Sequence, residues 1–172
     1  MKAGTSLRVV AIGLSVVALV SCAETGGFGQ RSFQSQYNDA RTALETGKYK
    51  AANKIYEHLL PQAGPLNNRI QLEFSHSHLR AGDFDKAARM AGALANSQDS
   101  TARSAALSVQ GTAEHEAALQ LLAQGNTELG VARLKIAQKA IEEVLSKDPA
   151  LDPLGSLAGR RASIAVRLKS LP

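Results

Sequence analysis

Residues 44–59, LETGKYKAANKIYEHL, return 35 residues later as LRAGDFDKAARMAGAL at 79–94. Leu44 aligns with Leu79, Gly47 with Gly82, Tyr49 with Phe84, Ala52 with Ala87 and Leu59 with Leu94. Matches at one fixed shift in this range mark an array of helical repeats. Each position has a physical role. Gly47 and Gly82 follow helical segments, where a residue free to take positive φ ends a helix. Tyr49 and Phe84 then place a ring at the start of the next helix. One turn further on, Ala52 and Ala87 are small enough for paired helices to approach closely. These features restrict the chain to an all-α stack.

The remaining punctuation extends this reading. Helices are expected at 33–46, 49–60, 66–80, 84–96, 101–124, 127–147 and 154–170. Pro61, Gly64, Pro65, the run 97–100, Gly125-Asn126, Pro149 and Pro153 separate them, with Asp99 or Ser100 able to cap the fifth. No segment alternates with the two-residue period of a half-buried strand. A shift of 43 carries Gly82 onto Gly125 and Ala87 onto Gly130, but Phe84 onto Thr127, so the third pair is degenerate. In the sixth helix Leu129, Ala132, Ile136, Ala140 and Val144 form one apolar stripe, widened by Ala137, Ile141 and Leu145. The last helix offers cover with Leu154, Leu157, Ile164, Leu168 and Leu171, and carries Arg160, Arg161, Arg167 and Lys169 on its polar side. With 4% aromatic residues, the core is expected to rest on Ala and Leu contacts. The Gly, aromatic and Ala spacings resemble the tetratricopeptide repeat. The resemblance implies about three helix pairs and a C-terminal capping helix over residues 33–172.

The first 21 residues read as a signal peptide. Lys2 and Arg8 make a positive start, and residues 9–20 are apolar. As a helix that run spans about 18 Å, short of the roughly 30 Å hydrocarbon core of a bilayer. Leu19-Val20-Ser21-Cys22 resembles the lipobox of bacterial lipoproteins, which implies cleavage before Cys22 and lipidation of that residue. Ala23 rather than Asp follows, which by the family's sorting rule implies the periplasmic face of the outer membrane. Cys22 is the one cysteine, so an intramolecular disulfide is excluded. Residues 22–32 read as the lipidated Cys and a Gly-rich tether with a reach of roughly 16–19 Å.

No catalytic constellation emerges. His76 and His78 point about 200° apart on a helix and share no face for a metal. Glu142 and Glu143 also diverge, and Lys147 is the expected surface partner of Glu143. No phosphate loop or nucleophile elbow is present, and no metal or cofactor is expected. Loss of Lys2 and Arg8 lowers the formal charge from +5 to +3 (5 − 2). The basic residues are scattered rather than clustered with aromatics, which argues against nucleic acid.

In the tetratricopeptide pattern the first helix of each pair lines a groove that commonly receives peptide segments. The register set by Gly47 and Gly82 sends Gln34, Tyr37 and Arg41 toward it, then Arg69, His76 and Arg80, then His115. Such a groove is cationic and suits an acidic segment, with binding expected to tighten as pH falls through the ordinary His76 range near 6.5. The implied function is a non-enzymatic, lipid-anchored scaffold that binds another envelope protein. The first repeat is similar to the opening repeat of pilus and secretion-system assembly lipoproteins, the Tad type included. It is also similar to that of the accessory lipoprotein of outer-membrane β-barrel assembly. An envelope enzyme without a recognisable motif is the alternative of another class.

Overall fold

The computed structural model describes residues 31–171. The segment read as a signal peptide, Cys22 and the part of the expected tether up to residue 30 lie outside the described residues, as does Pro172. The described chain is all-α, with helices α1 (Phe33–Glu45), α2 (Tyr49–Leu59), α3 (Asn67–Arg80), α4 (Phe84–Asn96), α5 (Ser100–Ala123), α6 (Thr127–Lys147) and α7 (Ser156–Ser170). Short 3-10 turns at Leu60–Gln62, Gly64–Leu66 and Pro149–Leu151 occupy the Pro-bearing connections. The helices pair as α1/α2, α3/α4 and α5/α6, α3 touches α5, and α7 lies against both α5 and α6. No described helix is long and apolar enough to cross a membrane.

The repeat is visible in the three hairpin turns. Gly47, Gly82 and Gly125 have φ of +76°, +80° and +81°. After each, the next backbone N–H donates back into the helix: Lys48 to the Ala43 carbonyl (2.8 Å), Asp83 to His78 (3.0 Å) and Asn126 to Leu121 (2.9 Å). This is the Schellman closure that a left-handed residue makes available. The third pair therefore keeps the turn although it lost the aromatic. Ala52 and Ala87 expose no surface, as their role in close packing requires. Gly130 takes the same place in the third pair and goes further, because a Cβ there would stand 2.6 Å from Leu122 Cγ. At Gly111 it would stand 2.7 Å from Ile141 Cγ1. The α5/α6 pair is closed beyond what alanine permits.

Several expectations are corrected. The aromatic residues are few but concentrated: Tyr37, Tyr56 and Phe74 are buried with Ala40, Ala52, Leu59 and Ile70 among α1, α2 and α3. In α6 the buried face is Gly130, Leu134, Ala137, Ala140, Ile141 and Val144, so the expected stripe is buried in its second half, while Leu129 and Ile136 are exposed. The close contacts of Gly111 and Gly130 rotate α6 so that the stripe beginning at Leu129 turns outward over its first half. In α7, Leu157 and Ile164 are buried but Leu154, ahead of the helix, is 93% exposed. Glu143 pairs with Arg103 of α5 rather than Lys147, at 2.6 and 3.3 Å. Arg31 and Ser32 engage α1: Arg31 pairs with Asp39 at 2.7 Å, and Ser32 Oγ accepts from the Ser35 N–H.

A carboxylate fixes the start of α7. Asp152 accepts from the N–H groups of Leu157 and Ala158, both at 2.9 Å, and from Ser156 Oγ at 3.1 Å. The Leu157 N–H is the main cause that holds this carboxyl below its usual range. Gly155, with φ +72°, turns the chain so that Asp152 faces the open end of the helix.

Candidate functional site

The residues expected to share one groove do not lie together. Tyr37 and Arg69 gather around Glu73, which had not stood out in the sequence. Tyr37 Oη donates to Glu73 Oε1 at 2.7 Å, and Tyr56 Oη donates to Oε2 at 3.1 Å. Arg69 Nε donates to Oε1 at 3.2 Å, and its guanidinium lies 5.8 Å from the Tyr37 ring centroid. Arg41 pairs with Glu45 at 3.1 Å, one turn along α1. Burial first, and then Glu73, push both phenols above their ordinary range. Each arginine here already has a carboxylate, so this end of the stack is a structural link between α1 and α3.

His76 and Arg80 instead open onto a cavity of about 530 Å³ between α3, α5 and α7. Leu79 lies with them on the α3 wall, Val109, Thr112 and Glu116 form the α5 wall, and Leu157 and Arg160 come from α7. Phe84 at the start of α4 adds a ring. Arg80 Nη2 donates to Tyr49 Oη at 3.0 Å, with the guanidinium 5.6 Å from that ring centroid. Burial and the Arg80 charge push the His76 pKa down, against a smaller opposing pull from Glu73. The pH range expected for His76 therefore moves below 6.5.

His115 lies behind the α5 wall and is 5% exposed. Arg160 Nη1 donates to Glu116 Oε1 at 2.6 Å and to His115 Nδ1 at 3.0 Å. A guanidinium only donates, so His115 Nδ1 is unprotonated and accepts. Burial first, then Arg160, push the His115 pKa down. Arg160 was legible only as part of a polar helix face. It borders the Leu157 and Ile164 side of α7, and that position was the one signal that could have found it.

Other buried polar groups hold helices together. Arg133 of α6 reaches Glu114 of α5 at 2.8 Å and Asp85 of α4 at 2.7 Å. His78 is buried at 5% exposure, with Nδ1 3.0 Å from Asp83 Oδ2 and its ring 4.6 Å from that of Phe74. Burial is the main cause that lowers its pKa, followed by the charge of Lys86. The same Nδ1 lies 3.2 Å from Asn53 Nδ2.

The cavity combines apolar side chains with two guanidinium groups and one carboxylate. The Ser108 hydroxyl donates to the Ser104 carbonyl at 2.9 Å, and that of Ser156 to Asp152. The Ser156 acceptor is the carboxylate that caps its own helix. Among the described residues no group of three His, Cys, Asp or Glu stands close enough to hold a metal ion.

No family model matches the chain, and no curated protein matches it. Among solved structures it is similar to the type III secretion translocator chaperone SycD of Yersinia enterocolitica, in an alternative dimer. The TM-score is 0.48 at 17% identity, over 81% of this chain and 96% of that one. At this distance the likeness carries no argument about function.

Proposed function

We propose that this chain is a lipid-anchored scaffold that holds a segment of another envelope protein in the cavity between α3, α5 and α7. The observation that carries this is the cavity itself. It has apolar side chains on three walls and the guanidinium groups of Arg80 and Arg160 beside them. A segment with apolar and anionic side chains suits that combination. The anchor is Cys22, in the sequence Leu19-Val20-Ser21-Cys22, and the proposed location is the periplasmic face of the outer membrane. Several acyl chains hold a protein stably to a bilayer where one does not. The assignment to pilus or secretion-system assembly rests on the likeness of the first repeat alone.

Two variants test the two halves. Cys22→Ser is expected to move the protein out of the membrane fraction, and mass spectrometry of the wild-type amino terminus is expected to show a lipidated Cys22. An unmodified mature chain starting elsewhere would remove the anchor. The double variant Arg80→Glu and Arg160→Glu, with its helix content retained, is expected to lose the partner recovered by crosslinked pull-down from intact membranes. Unchanged recovery would remove the cavity from the account.

A further inference from the structure

Arg160 and Glu116 both line the cavity and meet at 2.6 Å. They come from elements 44 residues apart in sequence. About a third of each side chain stays exposed, 30% and 31%. Exposure alone does not set the pair apart, because Arg103 and Glu143 link α5 to α6 at 33% and 31%. The Arg160–Glu116 pair differs in standing beside the apolar side chains of Leu79, Val109 and Leu157, where it carries the charge that an anionic ligand would need to reach. His115 holds the same guanidinium nitrogen from the buried side at 3.0 Å, so the arginine stays aimed at the cavity if Glu116 lets go.

We propose that Glu116 is a built-in stand-in for a ligand carboxylate, and that a partner segment binds by displacing it from Arg160. This rests on the cavity being the partner site. It adds a ligand class, a carboxylate-bearing segment, and an internal competitor that weakens the grip on any such segment. The exchange breaks one charge-assisted pair and forms another, so the gain in affinity comes from the apolar walls formed by Leu79, Val109 and Leu157. Selectivity follows: a carboxylate without apolar neighbours does not displace Glu116, and an apolar segment without a carboxylate leaves the pair in place. The carboxylate can be an acidic side chain or a chain end.

The test is fluorescence anisotropy on the full-length protein, with three fluorescein-labelled hexapeptides. One alternates leucine and glutamate with an amidated end, one alternates leucine and glutamine with a free end, and one alternates leucine and glutamine with an amidated end. The first or second is expected to bind and the third is not, which separates side-chain from chain-end recognition. Glu116→Gln is expected to bind the recognised peptide about tenfold tighter, the scale of one charge-assisted hydrogen bond freed. Arg160→Gln is expected to lose that peptide. If Arg160→Gln melts below the assay temperature, Arg160→Lys replaces it, with weakened binding expected because ammonium cannot reproduce the planar fork. Equal or weaker binding by folded Glu116→Gln overturns the proposal, as does binding of none of the peptides. If the envelope partner is still captured from membranes by a folded Arg160→Gln, the scaffold reading stands and this site does not.

Discussion

Tyr37 and Glu73 are 36 residues apart in sequence and 2.7 Å apart across α1 and α3. Tyr56, which is fully buried, adds its hydroxyl to the same carboxylate. One acidic side chain thus satisfies two buried phenols, and the first hairpin is locked to the second. Glu73→Ala leaves both hydroxyls without that acceptor. The expected cost is about 1–3 kcal/mol, read as a lower urea midpoint at unchanged slope. A midpoint within error of the wild type would show that the phenols find other partners.

The glycines give opposite expectations for one substitution. Gly130→Ala places a methyl 2.6 Å from Leu122 Cγ and is expected to cost about 1–3 kcal/mol by overpacking α5 against α6. Gly159 has nothing within 4 Å of its ideal Cβ and sits inside α7. Gly159→Ala is expected to stabilise by about 0.5–1 kcal/mol through helix propensity. Thermal melts that move both variants in the same direction would contradict the packing described for α6 and α7.

Three histidines are held with lowered pKa values: His76, His78 and His115, burial leading in each case. Below about 6.5 the unfolded chain binds protons that the folded chain refuses. Stability is therefore expected to be full above that value and to decline as pH falls through the folded pKa values. A melting temperature that falls between pH 7.5 and 5.5 checks this. A flat or rising profile would place the three rings in water rather than in the core.

Asp152 holds the first N–H groups of α7. Asp152→Ala is expected to raise amide exchange across the first turns of α7 while leaving α1 and α2 unchanged, because local openings follow local contacts. Uniform exchange along the chain would show that the cap does not act locally.

The turns were legible in the sequence because a left-handed residue is a local requirement. Gly47, Gly82 and Gly125 read from spacing alone, and so did Ala52 and Ala87. Helix positions followed from the same local chemistry, although Asp99 makes no side-chain hydrogen bond as the cap of α5. The orientation of α6 was not legible. Both the Leu129 stripe and the Leu134 face have helical period, and only the contacts at Gly111 and Gly130 choose between them. The charge pairs were hidden for a related reason. Glu73, Arg133 and Arg160 act across helices, and their partners depend on register and rotamer rather than on spacing within one helix. Of the residues expected to share one groove, His76 and Arg80 line the cavity, Tyr37 and Arg69 meet at Glu73, and Arg41 pairs with Glu45.

Because Arg41 pairs with Glu45 away from the cavity, Arg41→Glu is expected to leave partner capture within about twofold of wild type, the range of a screened surface charge. Loss of capture in that variant, with helix content intact, would move the binding face toward α1.

Site-specific photo-crosslinking in intact cells tests the central claim most directly. A photoreactive residue is placed at Thr112 on the cavity wall and, separately, at the exposed position Lys54 on α2. The account predicts one crosslinked envelope protein from position 112, absent from position 54 and lost when Arg160→Gln is combined with the probe. Crosslinking to that protein from position 54 alone, or from 112 regardless of Arg160, would contradict it.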